Sequence, residues 1–418
     1  MQPTNRAMKA PARRALALAC ASALASVLAA CAGTAGTAAA PAAASAAQPA
    51  ADFPAASPES VGVDSAPLVR LSEWIRKDRL DVRSLLVVKD GRLIYERYGA
   101  GLTREHNYEL YSVTKTVTAL TFGVLEGQGR IATGDKAATW IARTHPEFDP
   151  QLADKRNIEL GHLMAMSSGL LYRQVEGSDP LYFQAPDRLQ VALGTTPRIP
   201  PATRFEYTDA NPVLVGAAIA AAAGQREDAY AEEHLFKPLG MRNYRWTGAD
   251  RTGTVSGGWG LRLRAVDMAK LGQLMLDGGR WQGRQVVPAA WVRRMATPQP
   301  GATAQDYGYY TWINHVVESE PEFGAMGFKG QFITVLPRER AVVVMTAILP
   351  TDGGLRTGTY LHLYRRMVND YILPAMQVLP APQPGEAARQ ALARELLLAA
   401  RTQGVPGTDL AFNDAPEK

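Results

Sequence analysis

Apolar and polar positions repeat with two different periods along this chain. Residues 84–98 (SLLVVKDGRLIYERY) form two β-rich runs around Asp90-Gly91, a dipeptide suited to the two-residue turn of an antiparallel hairpin. Residues 112–126 place Val113, Val117, Leu120 and Val124 at helical spacing and stop at Gly127-Gln128-Gly129. From there to about residue 300, helical patches are separated by Pro and Gly. Strand character returns at 308–313, 332–336 and 341–349, the last reading AVVVMTAIL. Strands at both ends with helices between predict one α/β (α+β) body, residues 53–380. Its sheet is expected to be antiparallel because the strands fall in contiguous hairpins, with helices flanking it and a helical region inserted. After Pro380-Ala381-Pro382-Gln383-Pro384 comes a C-terminal extension, 381–418. Its helical stretch, 386–400, sets Leu392, Leu396 and Leu397 on one side and is expected to pack on the body.

The N-terminus has another character. Arg6, Lys9, Arg13 and Arg14 precede an uncharged run, residues 15–30, which is shorter than the roughly 20 residues of a bilayer span and suits a secretory signal. The run ends Leu28-Ala29-Ala30-Cys31, which resembles a bacterial lipobox. That resemblance implies that residues 1–31 are a signal segment, that Cys31 is lipidated, and that the protein is exported to the periplasm and touches membrane only through this anchor. Ala32 after the cysteine resembles the pattern of outer-membrane forwarding. Cleavage at a neighbouring small residue and an uncleaved anchor are the alternatives. Residues 32–52 are Ala, Gly, Thr, Pro and Ser for the most part and are expected to be a flexible tether.

Composition narrows the function classes. With 46% hydrophobic and 20% charged residues among 418, the chain has an ordinary globular balance. The net charge of +5 is largely the N-terminal segment: its four basic residues leave 41 against 40 acidic ones, and no nucleic-acid partner is expected. Cys20 and Cys31 are the only cysteines, so the body has neither a disulfide nor a cysteine nucleophile. The six histidines are scattered without H-x-H or H-E-x-x-H, and no metal or other cofactor is expected. G-x-S-x-G and G-x-x-x-x-G-K-[ST] are also absent.

Three segments carry candidate chemistry. Tyr111-Ser112-Val113-Thr114-Lys115 opens the helix at 112–126, and no other serine has a lysine three residues on. Residues i and i+3 share a helix face, so the amine can reach the hydroxyl. The helix N-terminus favours a developing oxyanion, and burial can lower a lysine pKa and free its lone pair. Taken alone, this pattern is equally that of an ordinary helix surface. Phe205-Glu206-Tyr207-Thr208-Asp209-Ala210-Asn211 can present a phenol and a short polar side chain from a turn before a helix, or be a core tyrosine followed by a helix cap. Gly324-Ala325-Met326-Gly327-Phe328-Lys329-Gly330-Gln331, before strand 332–336, lets backbone approach a ligand or makes a plain hairpin turn.

In this order and spacing the three segments resemble the S-x-x-K, Y-x-N and K/H-x-G motifs of serine hydrolases related to class C β-lactamases. That group includes penicillin-binding proteins, D-amino-acid peptidases, β-lactamase-like esterases and nylon-oligomer (6-aminohexanoate-dimer) hydrolases. The runs IELGHLMAMSSGL (158–170), FKPLGM (236–241) and GLRLRAVD (260–267) add to the similarity, which covers about residues 58–375. The resemblance implies a β-lactamase/transpeptidase-like fold. It makes Ser112 the acylated nucleophile, Lys115 its base partner and Tyr207 the completion of a proton relay. The backbone N–H groups of Ser112 and Phe328 would form the oxyanion hole beside Gly327, and His162 with Ser167-Ser168-Gly169 would be scaffold.

Two departures bear on substrate. Asp209 stands where β-lactamases have Asn, with Asn211 two residues on as a substitute, and Ala325 stands where Lys or His would hold a β-lactam carboxylate. Lys329 is nearby in a different geometry. These departures point to an esterase or amidase acting on a small ester or amide rather than an efficient β-lactamase. Tyr172 is a candidate pocket wall or a buried core aromatic. The alternative from another class is a non-catalytic surface lipoprotein binding peptidoglycan stems or a protein partner. Oligomeric state is not encoded in any of these patterns.

Overall fold

The structure, a computed structural model, describes residues 52–172, 180–183, 187–299, 304–317, 319–352, 358–377 and 385–402. The predicted signal segment, Cys31 and the tether up to residue 51 lie outside the described residues. Strands β1 (Val82–Lys89) and β2 (Arg92–Tyr98) form the expected hairpin. Asp90 and Gly91 at its turn both have positive φ (49° and 70°), the backbone that matches the twist of the flanking strands.

Four later strands complete a six-stranded antiparallel sheet: β3 (Trp312–Ile313), β4 (Phe323–Gly327), β5 (Gln331–Leu336) and β6 (Ala341–Ala347). The order is β2-β1-β6-β5-β4-β3, so the chain's last strand pairs beside its first. The apolar run of β6 is buried along its whole length because both faces of the sheet are covered.

Among the described residues, five helices have a dozen residues or more: α1 (Ser65–Lys77), α2 (Val113–Gly127), α3 (Ala210–Ala223), α4 (Ala265–Leu276) and α5 (Glu386–Thr402). Consecutive residues of a strand point to opposite faces, and β5 shows what covers each. A methyl on Gly272 of α4 would come within 2.9 Å of Ile333 and 2.4 Å of Val342, so the absent side chain allows α4 to lie directly on the sheet. On the other face Phe332 stacks on Tyr364 at 3.9 Å, and the Thr334 hydroxyl bonds the Tyr364 hydroxyl at 2.8 Å. Helix α2 is buried from Val113 to Leu125, as its nearly continuous apolar and threonine sequence requires.

Three expectations change. Asp52, placed at the end of the tether, instead belongs to the body. Its carboxylate pairs with Lys270 at 2.9 Å, and Phe53 packs edge-on against Trp281. Helix α5 packs on α1 and β2 through Leu392, Glu395 and Ala399, while Leu397 is 52% exposed. The carboxylate of Glu395 is largely buried and is met by Arg76 at 3.0 Å and Ser72 at 3.2 Å. The predicted strand at 308–313 contracts to Trp312–Ile313, and the glycine-rich motif itself supplies the missing strand, β4.

Candidate active site

Ser112 sits at the N-cap of α2, and the preceding residue, Tyr111, adopts a positive φ of 46°. A half-buried carboxylate holds this strained turn: Glu109 Oε1 accepts from the Tyr111 N–H at 3.1 Å and the Gly260 N–H at 2.9 Å. Burial pushes the Glu109 carboxyl above the usual range, the two backbone donors counteracting it. Leu110 N–H also bonds the Leu261 carbonyl at 3.0 Å, so the turn before Ser112 is tied to the 260–261 backbone at several points.

Lys115 follows one turn later and is 1% exposed, whereas Ser112 remains partly accessible. An ammonium has three donors, and three acceptors surround this one. They are Ser112 Oγ at 2.8 Å, the Gly258 carbonyl at 3.1 Å and Asp209 Oδ1 at 2.5 Å. Gly258 can come this close because it lacks a side chain: a Cβ there would be 2.7 Å from Pro212 and 3.5 Å from Lys115 Nζ. The Tyr207 phenol lies beside Ser112 and Lys115, and the ammonium is 4.9 Å from the centre of its ring. The Tyr207 ring stacks on Trp312 at 6.0 Å and meets Tyr307 edge-on, which fixes its plane.

Asp209 occupies the N-cap position of α3, yet its side chain makes no cap hydrogen bond. Its carboxylate turns to Lys115 and accepts from the Tyr182 hydroxyl. Tyr182 in turn packs on Trp259 at 4.3 Å. This pairing reverses the expectation for Lys115. Burial alone would push the ammonium down, but Asp209 and Tyr207 outweigh it, and the pKa lies above that of an ordinary lysine. Burial pushes the Tyr207 phenol up, the Lys115 charge opposing it without prevailing. The resting cluster is therefore an ammonium, a carboxylate and a neutral phenol around one hydroxyl.

The third segment reaches the same place from β4. A Cβ on Gly327 would lie 2.3 Å from the Leu110 carbonyl, so only glycine lets this strand end approach the nucleophile turn. The Gly327 carbonyl accepts from Gly330 N–H inside the hairpin, with Lys329 and Gly330 both at positive φ. Because the 327–328 peptide is planar and trans, its N–H, that of Phe328, points out of the turn. The Phe328 carbonyl is held by Gln331 Nε2 at 3.1 Å. The Phe328 ring is 39% exposed and meets Tyr111 edge-on. Ala325 is buried, and Lys329 directs its ammonium to within 5.9 Å of the Phe328 ring centre.

These contacts bear on several residues singled out in the sequence. Asn211 does not substitute for the family asparagine, because its buried amide accepts from Ser168 Oγ at 2.8 Å and donates to the Leu163 carbonyl. His162 accepts from the Glu159 N–H in a capping box, a scaffold role. Tyr172 is half-buried against the core, and the hydroxyl that bonds Asp209 is that of Tyr182. Sequence reasoning missed Tyr182, Trp259, Trp312 and Gly258. Of these, only Gly258 left a signal, the Ser256-Gly257-Gly258 run.

An antiparallel sheet beside a buried helix that opens with a paired serine and lysine defines the class: a β-lactamase/transpeptidase-like protein. The family described as Beta-lactamase matches residues 78–363, and the chain belongs to that family. It is 27% identical over 225 residues to Esterase EstB of Burkholderia gladioli, a match covering 46% of this chain and 55% of the esterase. It is 23% identical to the 6-aminohexanoate-dimer hydrolase of Paenarthrobacter ureafaciens, covering 68% of this chain and 78% of that one. Among solved structures, a penicillin-binding protein homologue from Caulobacter crescentus superposes with a TM-score of 0.57 at 16% identity, over 72% of this chain and 95% of that chain.

Proposed function

We propose that this protein is a serine hydrolase that cleaves a small carboxylic ester or amide through an acyl-enzyme on Ser112. The observation that carries the reading is the cluster in which Lys115 Nζ lies 2.8 Å from Ser112 Oγ, 2.5 Å from Asp209 and 4.9 Å from the Tyr207 ring centre.

Ser112 Oγ attacks the substrate carbonyl carbon, and its proton enters the Lys115–Tyr207 pair. Because Lys115 rests as an ammonium, it accepts that proton only as it releases another, and the Asp209 carboxylate is the neighbouring acceptor. Tyr207 delivers a proton to the leaving alkoxide or amine and is reprotonated by Lys115, which takes back the proton held by Asp209. Water then repeats the sequence in reverse, releasing the carboxylic acid and restoring the Ser112 hydroxyl. The N–H groups of Ser112 and Phe328 receive the oxyanion of each tetrahedral intermediate. Gly327 is the close-approach residue that brings Phe328 to it.

The side chain at 325 supplies no cation for a β-lactam carboxylate, and the exposed Phe328 beside Tyr111 offers an apolar surface instead. Relatives named as an esterase and a 6-aminohexanoate-dimer hydrolase support the ester and amide assignment. The N-terminal basic and apolar runs ending at Cys31 support export and a lipid anchor in the periplasm, with Ala32 favouring the outer membrane.

The test is a substrate panel on the purified protein and its Ser112→Ala variant: short-acyl aryl esters, linear amides, D-Ala-terminated peptides and a chromogenic cephalosporin. Ester or amide turnover lost in Ser112→Ala is expected, with cephalosporin turnover far slower. Cephalosporin hydrolysis faster than ester hydrolysis would overturn the substrate assignment. Binding of D-Ala-terminated peptides without turnover of any substrate would favour a non-catalytic surface protein.

A further inference from the structure

One turn beyond Lys115 on α2, the Thr118 hydroxyl lies 2.6 Å from Glu227 Oε1 and 2.8 Å from the Gly257 carbonyl oxygen. Thr118 is fully buried and Glu227 is 1% exposed. A threonine hydroxyl carries one proton and cannot donate to both oxygens. Both contacts are hydrogen bonds only if the carboxyl itself carries a proton. Glu227 then donates to Thr118 Oγ1, and Thr118 donates to the Gly257 carbonyl. The second carboxyl oxygen, Oε2, has no hydrogen-bond partner among the described residues and fills the space left by Gly216, where a Cβ would be 2.4 Å away. Among the described residues no cation accompanies it, so an ionised carboxylate here would be buried without compensation.

The Gly257 peptide leads directly into Gly258, whose carbonyl accepts from the Lys115 ammonium at 3.1 Å. We propose that Glu227 is a positioning residue of this active site: as a neutral acid it turns the Thr118 hydroxyl onto Gly257 and so seats the Gly257-Gly258 backbone that receives Lys115. The proposal rests on the hydrolase reading of Ser112 and Lys115.

The surroundings agree. Burial pushes the Glu227 carboxyl up to about 8, the Thr118 hydroxyl counteracting this and the neighbouring Asp228 adding to it. From the 304–317 segment Tyr310 faces it, and the proximity of Glu227 adds to the burial that raises the Tyr310 phenol. Helix α3 and the 254–260 segment bring no titratable side chain, and on α2 Lys115 is the charged residue a turn from Thr118. The sign follows. Below about pH 8 the acid is intact and the relay points at Gly257. Above it the carboxylate draws the Thr118 proton to itself, and the Gly257 carbonyl loses that donor.

The experiment compares wild type with Glu227→Gln, following ester turnover and fluorophosphonate acylation of Ser112 from pH 6 to 10. Gln stays neutral and keeps a donor for Thr118. Near pH 6.5 the variant is expected within about threefold of wild type, the scale of a conserved neutral hydrogen bond. At pH 9 wild type should fall to about one-tenth of its plateau, since one pH unit above the midpoint leaves about a tenth of the acid protonated, while the variant holds. Infrared spectroscopy at neutral pH should show a protonated-carboxyl band that Glu227→Gln removes. Thr118→Val breaks the relay from the other end, should lower the plateau and flatten the limb, and carries the test if Glu227→Gln does not fold. Labelled Ser112 with identical alkaline limbs in wild type and Glu227→Gln, or no such infrared band, would overturn the positioning role alone. Ser112 unlabelled at every pH would overturn the hydrolase reading and this role with it.

Discussion

Replacing Lys115 by Met removes the ammonium from a buried pair and leaves the Asp209 carboxylate, 2.5 Å from it in the native protein, without its cation. The side chains of Lys115 and Asp209 are 1% and 8% exposed, so solvent does little to screen the change. Breaking such a pair from one side costs about 3–5 kcal/mol. Against a total stability of about 5–15 kcal/mol the variant should remain folded with a much smaller margin. Asp209→Asn removes the anion while keeping a partner for Tyr182, and Lys115→Met/Asp209→Asn removes both charges. The double variant should therefore be more stable than the sum of the single costs implies, with a coupling of about 2–3 kcal/mol. Urea unfolding followed by tryptophan fluorescence measures the cycle. The Lys115 pKa is raised above 10.5, so its contribution is fully present at neutral pH and is lost only as pH climbs through that raised value. Additive costs at pH 7, with coupling below about 0.5 kcal/mol, would refute the charged pair and with it the route for the Ser112 proton.

Two further outcomes follow from the geometry. Tyr207→Phe keeps the stack on Trp312 but removes the hydroxyl beside Ser112 and Lys115, and should lower turnover by about 10²–10⁴ with little change in unfolding midpoint. Unchanged steady-state turnover would remove the phenol from the relay. Gly327→Ala places a methyl 2.3 Å from the Leu110 carbonyl, displacing either β4 or the turn that carries Ser112. Turnover should fall by about 10²–10³, the scale of a lost oxyanion donor, and wild-type rates in this variant would argue against Phe328 N–H as that donor.

Much of the scaffold was legible because its signals are local. Asp90-Gly91 specifies the β1–β2 hairpin through its own backbone preferences, and the apolar spacing from Val113 to Val124, stopped at Gly127, specifies α2. Strand β4 was not legible as a strand, since Gly324, Ala325 and Gly327 lack the side chains that favour one. Glycine is needed at two of its positions, since a Cβ on Gly324 would meet the Ile333 carbonyl of β5 and one on Gly327 the Leu110 carbonyl. The identity of the site residues was readable from motif order, whereas their charge states were not. Burial of Lys115 suggested a depressed pKa, and the reversal comes from Asp209, which only the tertiary fold brings within 2.5 Å. Asp52 is the first charged residue after the tether, but what anchors it is Lys270, far away in sequence. Tyr182 and Trp259 carry no motif at all, and they meet through packing.

The central claim is that one hydroxyl, Ser112, is made nucleophilic by the lysine and phenol that converge on it. Treating the folded protein with a fluorophosphonate and mapping the modified peptide by mass spectrometry tests this most directly. One adduct is expected, on Ser112, formed in step with loss of ester turnover and much slower in Lys115→Met. No adduct on the folded protein, or one on a different residue, would contradict the account.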